Sequence, residues 1–325
     1  MIYFRIKDGI DKDKKPKFKL MDKFDKAVTD KKVLEYVKSL VIPPAYHDVK
    51  IFMETNPKIL FEGLDDKNRL QQIYSPAHKK KASKNKFCNL LEFGQALPKI
   101  DSDIKKYMTS TKMTKNKAIS LMIKIIMICG FRVGNLKYQK LYGSHGISNI
   151  FKKHITETKG KMVIKFIGKK GVLNECVILD KSIIFEMQKL IKNKKQMDKV
   201  FTYSLDGEEQ IIKAIEINKW LKEYNPALTT KMFRTWDTNI LFIENTRISD
   251  DPTKLTVTNR KKVIIEAMKI ISQQINNTVS VCKGQYMHVD LINLYLDHPT
   301  KYKKYFHGCL TARTCFTNYL HDYCK

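Results

Sequence analysis

Four residues set far apart in the chain carry side chains that together could move a phosphoryl group: Arg132, Lys169, Arg234 and Tyr286. Each lies in a short run suited to presenting it: GFRVGN (130–135), KFIGKKGV (165–172), KMFRT (231–235) and VSVCKGQYM (279–287). Two guanidiniums, an ammonium and a phenol are the groups that transesterification of a phosphodiester needs when no metal is used. The guanidiniums neutralise the non-bridging oxygens, the ammonium protonates the departing oxygen, and the phenol oxygen attacks.

Each of these residues also has a plainer reading, and the elements around it decide between the two. Arg132 follows a strongly apolar helical pattern over 116–129 that stops at Gly130. A helix so apolar must be buried, so the residue just past it stands on a rigid support, although an arginine there could merely cap a helix C-terminus. Lys137 and Tyr138 follow closely, a pairing suited to a DNA backbone or groove edge. Lys169 sits in a turn, Lys169-Lys170-Gly171, between the strand patterns MVIKFIG (162–168) and VLNECVIL (172–179). A lysine at a hairpin tip is usually a solvated turn residue. Beside a scissile phosphate it would be a general acid, a role worth roughly 10²–10⁴-fold in rate. Lys231 and Arg234 stand three apart near the start of a helical pattern, which places both cations on one helical face. Tyr286 begins the amphipathic stretch YMHVDLINLYL and is one of 15 tyrosines, so its position and company, not its type, single it out.

Composition points the same way. The 325 residues carry 61 basic against 33 acidic side chains, a formal net charge of +28, which attracts polyanions and above all nucleic acid. Only seven of the basic residues are arginines, so an arginine inside a motif is the more suggestive. The seven cysteines are scattered without a CxxC pair, which supports neither a disulfide framework nor a zinc site and fits a reducing compartment. No apolar run reaches membrane-spanning length and the N-terminal stretch has no signal-like apolar core, so an intracellular protein without a membrane partner is expected.

The patterning predicts an α+β protein with a small β-rich domain (1–83) and a larger, mostly α domain (84–325) carrying one β-hairpin. Short β-like runs (IYFRI, VKIFME, KILFEGL, LQQIYS) fill the first domain around one helical stretch, 26–40. The polar run HKKKASKNK (78–86) reads as the linker, because it lacks apolar periodicity. Beyond it, helical patterns cover 116–129, 181–194, 208–223, 232–245, 257–275, 286–296 and 311–323.

On the stretches GFRVGNLKY (130–138), HITETKGKMVIKFIGKKGV (154–172), KMFRTWDTN (231–239) and NNTVSVCKGQYM (276–287), the chain resembles the poxvirus-type DNA topoisomerases IB over nearly its whole length. The resemblance implies a monomeric clamp around double-stranded DNA. Its catalytic domain would have the DNA breaking-rejoining fold shared with tyrosine recombinases. Arg132 and Arg234 would activate the phosphate, Lys169 would be the general acid, and Tyr286 would become linked to the 3′ phosphate. No ATP, cofactor or obligatory metal is implied, and the expected location is the virion and the viral replication site in the host cytoplasm. Two departures stand out. Where the family has a histidine before the nucleophile, this chain has Asn277, whose NH₂ can still donate to a non-bridging oxygen but cannot carry charge. In a run expected to contact DNA, Gln71-Gln72-Ile73-Tyr74, Gln72 replaces a tyrosine while Gln71 and Tyr74 are kept. Two other readings remain at this point. A tyrosine recombinase or integrase shares the chemistry but usually has histidine where Lys231 stands. A non-enzymatic basic DNA binder needs only the charge.

Overall fold

In the computed structural model, which describes residues 1–10, 13–54, 57–249, 251–308 and 310–325, the chain divides into two units, Met1–Lys86 and Phe87–Lys325. The first is built on an antiparallel sheet. Its strands are β1 (Ile2–Ile10), β2 (Pro16–Met21), β3 (His47–Phe52), β4 (Ile59–Leu64) and β5 (Leu70–Tyr74), in the spatial order β2-β1-β3-β4-β5. Strand alternation turns one residue in two inward, and the register lines up Tyr3, Ile51, Phe61 and Ile73 across four neighbouring strands. Helix α1 (Lys31–Ser39) closes this small core with Val33, and Asp30 caps it by accepting from the Lys32 and Val33 amides.

The stretch expected to be a linker is helical. Helix α2 runs from Pro76 to Met108 without a break and includes all of 78–86. A lysine- and alanine-containing run free of glycine and proline is a good helix former, and the missing apolar stripe means only that no face of this part of the helix is buried.

The second unit is mainly helical. After α2 come α3 (Lys115–Cys129) and α4 (Leu136–Tyr142), then β6 (Ile155–Thr158), β7 (Lys161–Ile167) and β8 (Leu173–Ile178), then α5 (Lys181–Ile191). Strands β9 (Thr202–Leu205) and β10 (Glu208–Ile211) lead into α6 (Ala214–Lys222), α7 (Lys231–Arg247), α8 (Val257–Gln274), α9 (Val279–Gln285), α10 (Val289–Asp297), α11 (Pro299–Phe306) and α12 (Ala312–Cys324). The expected single hairpin is therefore an undercount. Strand β6 adds to β7 and β8 as a three-stranded sheet, and β9 pairs with β10. The helix expected over 208–223 starts only at Ala214. Asp206 and Gly207, both at positive φ, form the tight turn of a hairpin, a DG signal that the helical periodicity around it obscured.

Two cysteine pairs are bonded, Cys88 with Cys324 and Cys129 with Cys176, contrary to the expectation of unpaired thiols. Their sequence separations, 236 and 47, hide the proximity: the fold brings the α2 segment to the end of α12 and the end of α3 to β8. Among the described residues, no helix is long and apolar enough to cross a membrane, and no group of three or more His, Cys, Asp or Glu side chains is placed to hold a metal ion.

Candidate active site

Helix α3 is buried along almost its entire length and ends at Gly130, whose left-handed φ of 59° lets its amide bond back to Ile126. The chain then runs extended through Phe131, which is buried edge-on against Phe166 of β7. Arg132 comes next, with its backbone secured from the opposite side: Ile147 N–H donates to the Arg132 carbonyl, and Ser148 N–H to that of Val133. This close approach depends on glycine. At Gly134, with φ of 97°, a Cβ would come within 2.6 Å of Asn149 Oδ1, and at Gly146 it would strike the Gly134 backbone. The arginine is thus held by a buried helix behind it and a short 3-10 turn, Ile147–Asn149, beside it.

Helix α7 supplies the second arginine. Lys231 in its first turn is exposed, whereas Arg234 is only 2% exposed, so the two do not present a common cationic face as their spacing suggested. Arg234 Nη2 donates to the Ile275 carbonyl at 2.7 Å, while Nε and Nη1 are buried without a hydrogen-bond partner. Burying a guanidinium with donors unspent is costly to stability. The guanidinium carbon lies 5.1 Å from the centre of the Tyr286 ring.

Tyr286 sits at the end of α9, before α10 begins at Val289, and not at the head of one continuous helix over 286–296. It is 5% exposed, and its hydroxyl lies 3.4 Å from Arg132 Nη2. Burial pushes the phenol pKa up, but the charges of Arg234 and Arg132, with the hydrogen bond to Arg132, outweigh burial, so the net displacement is downward. Burial also lowers the Arg234 guanidinium, with Tyr286 acting in the opposite direction.

A residue that sequence reasoning passed over fixes the tyrosine. Asn239, fully buried and five residues after Arg234 on α7, donates from Nδ2 to the Tyr286 carbonyl at 3.0 Å and accepts the His288 amide on Oδ1 at 2.9 Å. One helix therefore carries both the buried guanidinium beside Tyr286 and the side chain that clamps the Tyr286 backbone. The available signal was an asparagine in mid-helix, a position where the residue is unfavourable unless its amide has a task.

Asn277 is brought to the site in an unexpected orientation. Its Oδ1 accepts from Arg132 Nη2 at 3.0 Å, and its Nδ2 faces the Ile275 carbonyl at 3.3 Å. A guanidinium has only donors, so the amide oxygen must face it. The Nδ2 expected to donate to a phosphate oxygen is thus on the Ile275 carbonyl, and the amide oxygen is on Arg132.

Lys169 is at the turn between β7 and β8, exposed, with Lys170 at φ 63° completing the reversal. Among the described residues, no hydrogen bond or ion pair engages it. The fold places its hairpin next to the Arg132 segment through Phe131–Phe166 and the Cys129–Cys176 bond, but not its ammonium against Tyr286. Lys137 and Tyr138 lie on α4, a helix with no buried side chain. In the first unit, β5 splits the three candidate DNA contacts. Gln72 and Tyr74 share one face, where Gln72 donates to Glu62 and the Tyr74 hydroxyl donates to Gln72, whereas Gln71 points to the opposite face and donates to Asp65.

Similarity to known proteins agrees with this geometry. A family profile described as "Eukaryotic DNA topoisomerase I, catalytic core" matches residues 75–307, and one described as "Bacterial DNA topoisomerase IB, N-terminal domain" matches 17–65. The chain is 31% identical over 277 residues to the DNA topoisomerase 1B of Acanthamoeba polyphaga mimivirus, covering 82% of this chain and 81% of that one. It is 23% identical over 275 residues to the DNA topoisomerase 1B of Vaccinia virus (strain Copenhagen), covering 82% of each. With a catalytic-core match spanning more than half its length, and with its two arginines gathered around a buried tyrosine, the chain belongs to the type IB DNA topoisomerases.

Proposed function

We propose that this protein relaxes supercoiled double-stranded DNA by transient cleavage of one strand. The Tyr286 oxygen attacks a backbone phosphorus, the bond to the 5′ oxygen breaks, and Lys169 gives that oxygen its proton. Arg132 and Arg234 take up the charge on the non-bridging oxygens, with Asn277 holding Arg132 in orientation and Asn239 holding Tyr286. The 3′-phosphotyrosyl linkage conserves the bond energy while the free 5′ end rotates, so the 5′ hydroxyl can reverse the attack without ATP. The observation that carries this reading is the meeting of Tyr286 with two cations from distant segments: its hydroxyl is 3.4 Å from Arg132 Nη2, and the Arg234 guanidinium is 5.1 Å from its ring centre.

On this reading the catalytic unit has the DNA breaking-rejoining fold of the tyrosine recombinases. The protein acts as a monomer that closes around the duplex, with Lys137, Tyr138 and Lys231 on the DNA side and Gln72 and Tyr74 offered from the first unit. Its viral relatives suggest work in the virion and at a replication site in the host cytoplasm. The exposed lysine at position 231, where recombinases usually have a histidine, favours relaxation over recombination. The deciding experiment traps the covalent adduct on a nicked duplex that loses its short 5′ strand, then maps the modified peptide. The adduct is expected on Tyr286, and Tyr286→Phe should abolish relaxation by on the order of 10⁴-fold or more while DNA binding persists. Relaxation that survives in Tyr286→Phe, or an adduct on another residue, refutes the assignment. A requirement for two paired sites would instead identify a recombinase.

A further inference from the structure

Helix α4 presents a physical problem. It has seven residues and buries none of them, with Leu136, Tyr138, Leu141 and Tyr142 each about half exposed. So short a segment is not helical by itself in water, and it has no apolar face to hold it to the protein. Its ends are capped, by the Asn135 side chain on the Lys137 and Tyr138 amides and by Gly143 in the left-handed conformation. Caps stabilise the helix, but they do not attach it.

The attachment is polar. Among the described residues, Gln139 is the α4 side chain that hydrogen-bonds to the rest of the unit, and its Oε1 accepts two donors, Lys199 Nζ at 2.9 Å and Asn149 Nδ2 at 3.1 Å. Lys199 lies just before β9 and is half-buried, and its Nζ also donates to the Asn149 carbonyl at 2.9 Å while lying 3.8 Å from the centre of the Phe151 ring. Burial pushes this ammonium down to about 8, so its desolvation is offset only by two acceptors and an aromatic face. Asn149 is fully buried, and its Oδ1 accepts the Gly146 amide at 2.7 Å, which closes the turn whose Ile147 N–H bonds to the Arg132 carbonyl. A single ammonium thus reaches α4 on one side and the turn behind Arg132 on the other.

We propose that Lys199 is a positioning residue for the cleavage reaction: it latches α4 through Gln139 and braces, through Asn149, the turn against which Arg132 is set. It touches no reacting atom. The proposal rests on the topoisomerase reading for its catalytic consequence, but the latch itself is a property of the free protein.

The test has one arm for each. In the free full-length protein, limited trypsin digestion at Lys137 and Lys140 reports release of α4. Lys199→Met should speed cleavage there by about fivefold or more, Gln139→Met should do the same from the other side of the contact, and Lys199→Arg should restore protection. On a duplex at saturating concentration, Lys199→Met should slow single-turnover adduct formation about tenfold through misplaced Arg132, with weaker DNA binding as a separate, smaller loss. The double variant Lys199→Met/Gln139→Met should be no more susceptible to trypsin than Gln139→Met alone, because Gln139→Met already removes the Lys199 contact together with the Asn149 one. Unchanged proteolysis in Lys199→Met or Gln139→Met, or effects that add in the double variant, overturn the latch. Faster proteolysis with an unchanged adduct rate overturns the positioning role. If Lys199→Met fails to fold, Gln139→Met, on a helix without buried side chains, decides the latch. A parent protein that forms no adduct defeats the functional reading while the digestion arm still reports on α4.

Discussion

Arg234 and Lys169 carry the same charge and are assigned to the same phosphate, yet the fold treats them in opposite ways. The arginine is buried on α7, with two donor atoms left without partners and its guanidinium 5.1 Å from the Tyr286 ring centre. The lysine stands exposed on a hairpin turn. The arginine half, with Asn239 and Tyr286, is preorganised: its geometry is held by buried hydrogen bonds before DNA arrives, and the cost of desolvating it has been met by the fold. The lysine half is held only at its base, by Phe131 against Phe166 and by the Cys129–Cys176 bond. The difference suits the roles proposed for the two residues. Charge stabilisation gains most from fixed dipoles in a water-poor setting, whereas a proton donor must reach into a duplex groove and so needs a projecting support.

This contrast can be broken by experiment. The largest effect expected is for Lys169→Ala, which should slow strand cleavage by about 10²–10⁴-fold in single-turnover measurements. Its unfolding free energy should stay within about 0.5 kcal/mol of the parent, because the residue is exposed. A substrate whose 5′ leaving atom is sulfur needs little protonation and should recover most of the rate. A slow reaction on that substrate would show that Lys169 does something other than donate a proton.

Arg234→Met should lose about 10²–10³-fold in cleavage and, unlike the lysine variant, should gain stability. Replacing a buried cation that leaves two donor atoms without partners by an apolar chain of similar length is worth about 1 kcal/mol even after the bond to the Ile275 carbonyl is lost, or about 2–4 °C in Tm for a unit of this size. A drop in Tm would mean that the unspent donors are better solvated than their burial indicates.

Asn239→Ala should combine both kinds of loss. Cleavage is expected to fall about 10–100-fold as Tyr286 loosens, and the unpaired Tyr286 carbonyl and His288 amide should cost about 1–3 kcal/mol in denaturant unfolding. A variant that is destabilised yet cleaves at the parent rate would reduce Asn239 to a packing residue.

The smallest effect concerns pH. Burial raises the Tyr286 phenol, but the two arginines outweigh it and hold it below the usual tyrosine value, about 10. A lowered pKa means that the phenolate forms at lower pH, so cleavage under subsaturating DNA should level off below the pH expected of an ordinary tyrosine. Arg132→Ala removes one of the two cations and should move the rise in rate to higher pH. A rise that stays in place would separate the arginine from the ionisation of the nucleophile.

Legibility from sequence varied with the range of the interactions. The hairpin around Lys169 was readable because strand alternation and a turn signal are local, and α3 was readable because an apolar run ended at a glycine. The run 78–86, expected as a linker, ends where the first unit ends, but its helical conformation was not legible: a solvated helix has no apolar period to read, and its continuity into the buried part of α2 shows only in three dimensions. The short helices α4, α9 and α11 and the β9–β10 hairpin are too brief to stand out from their neighbours. Asn277 was found, but the direction of its amide depends on Arg132, which lies 145 residues away.

The sequence by itself determined the inventory: two arginines, a lysine and a tyrosine in runs that match a known pattern, on a strongly basic chain with apolar spacing for a β-rich and a helical region. Only the tertiary structure decided their circumstances. It buried Arg234 while leaving Lys231 three residues away in solvent, turned the Asn277 oxygen to Arg132, and set Asn239 against the Tyr286 backbone. Burial, hydrogen-bond direction and the balance of charge on a phenol are sums over neighbours that the chain brings together from far apart. Residue type states what a side chain can do, and packing decides which of those things it does.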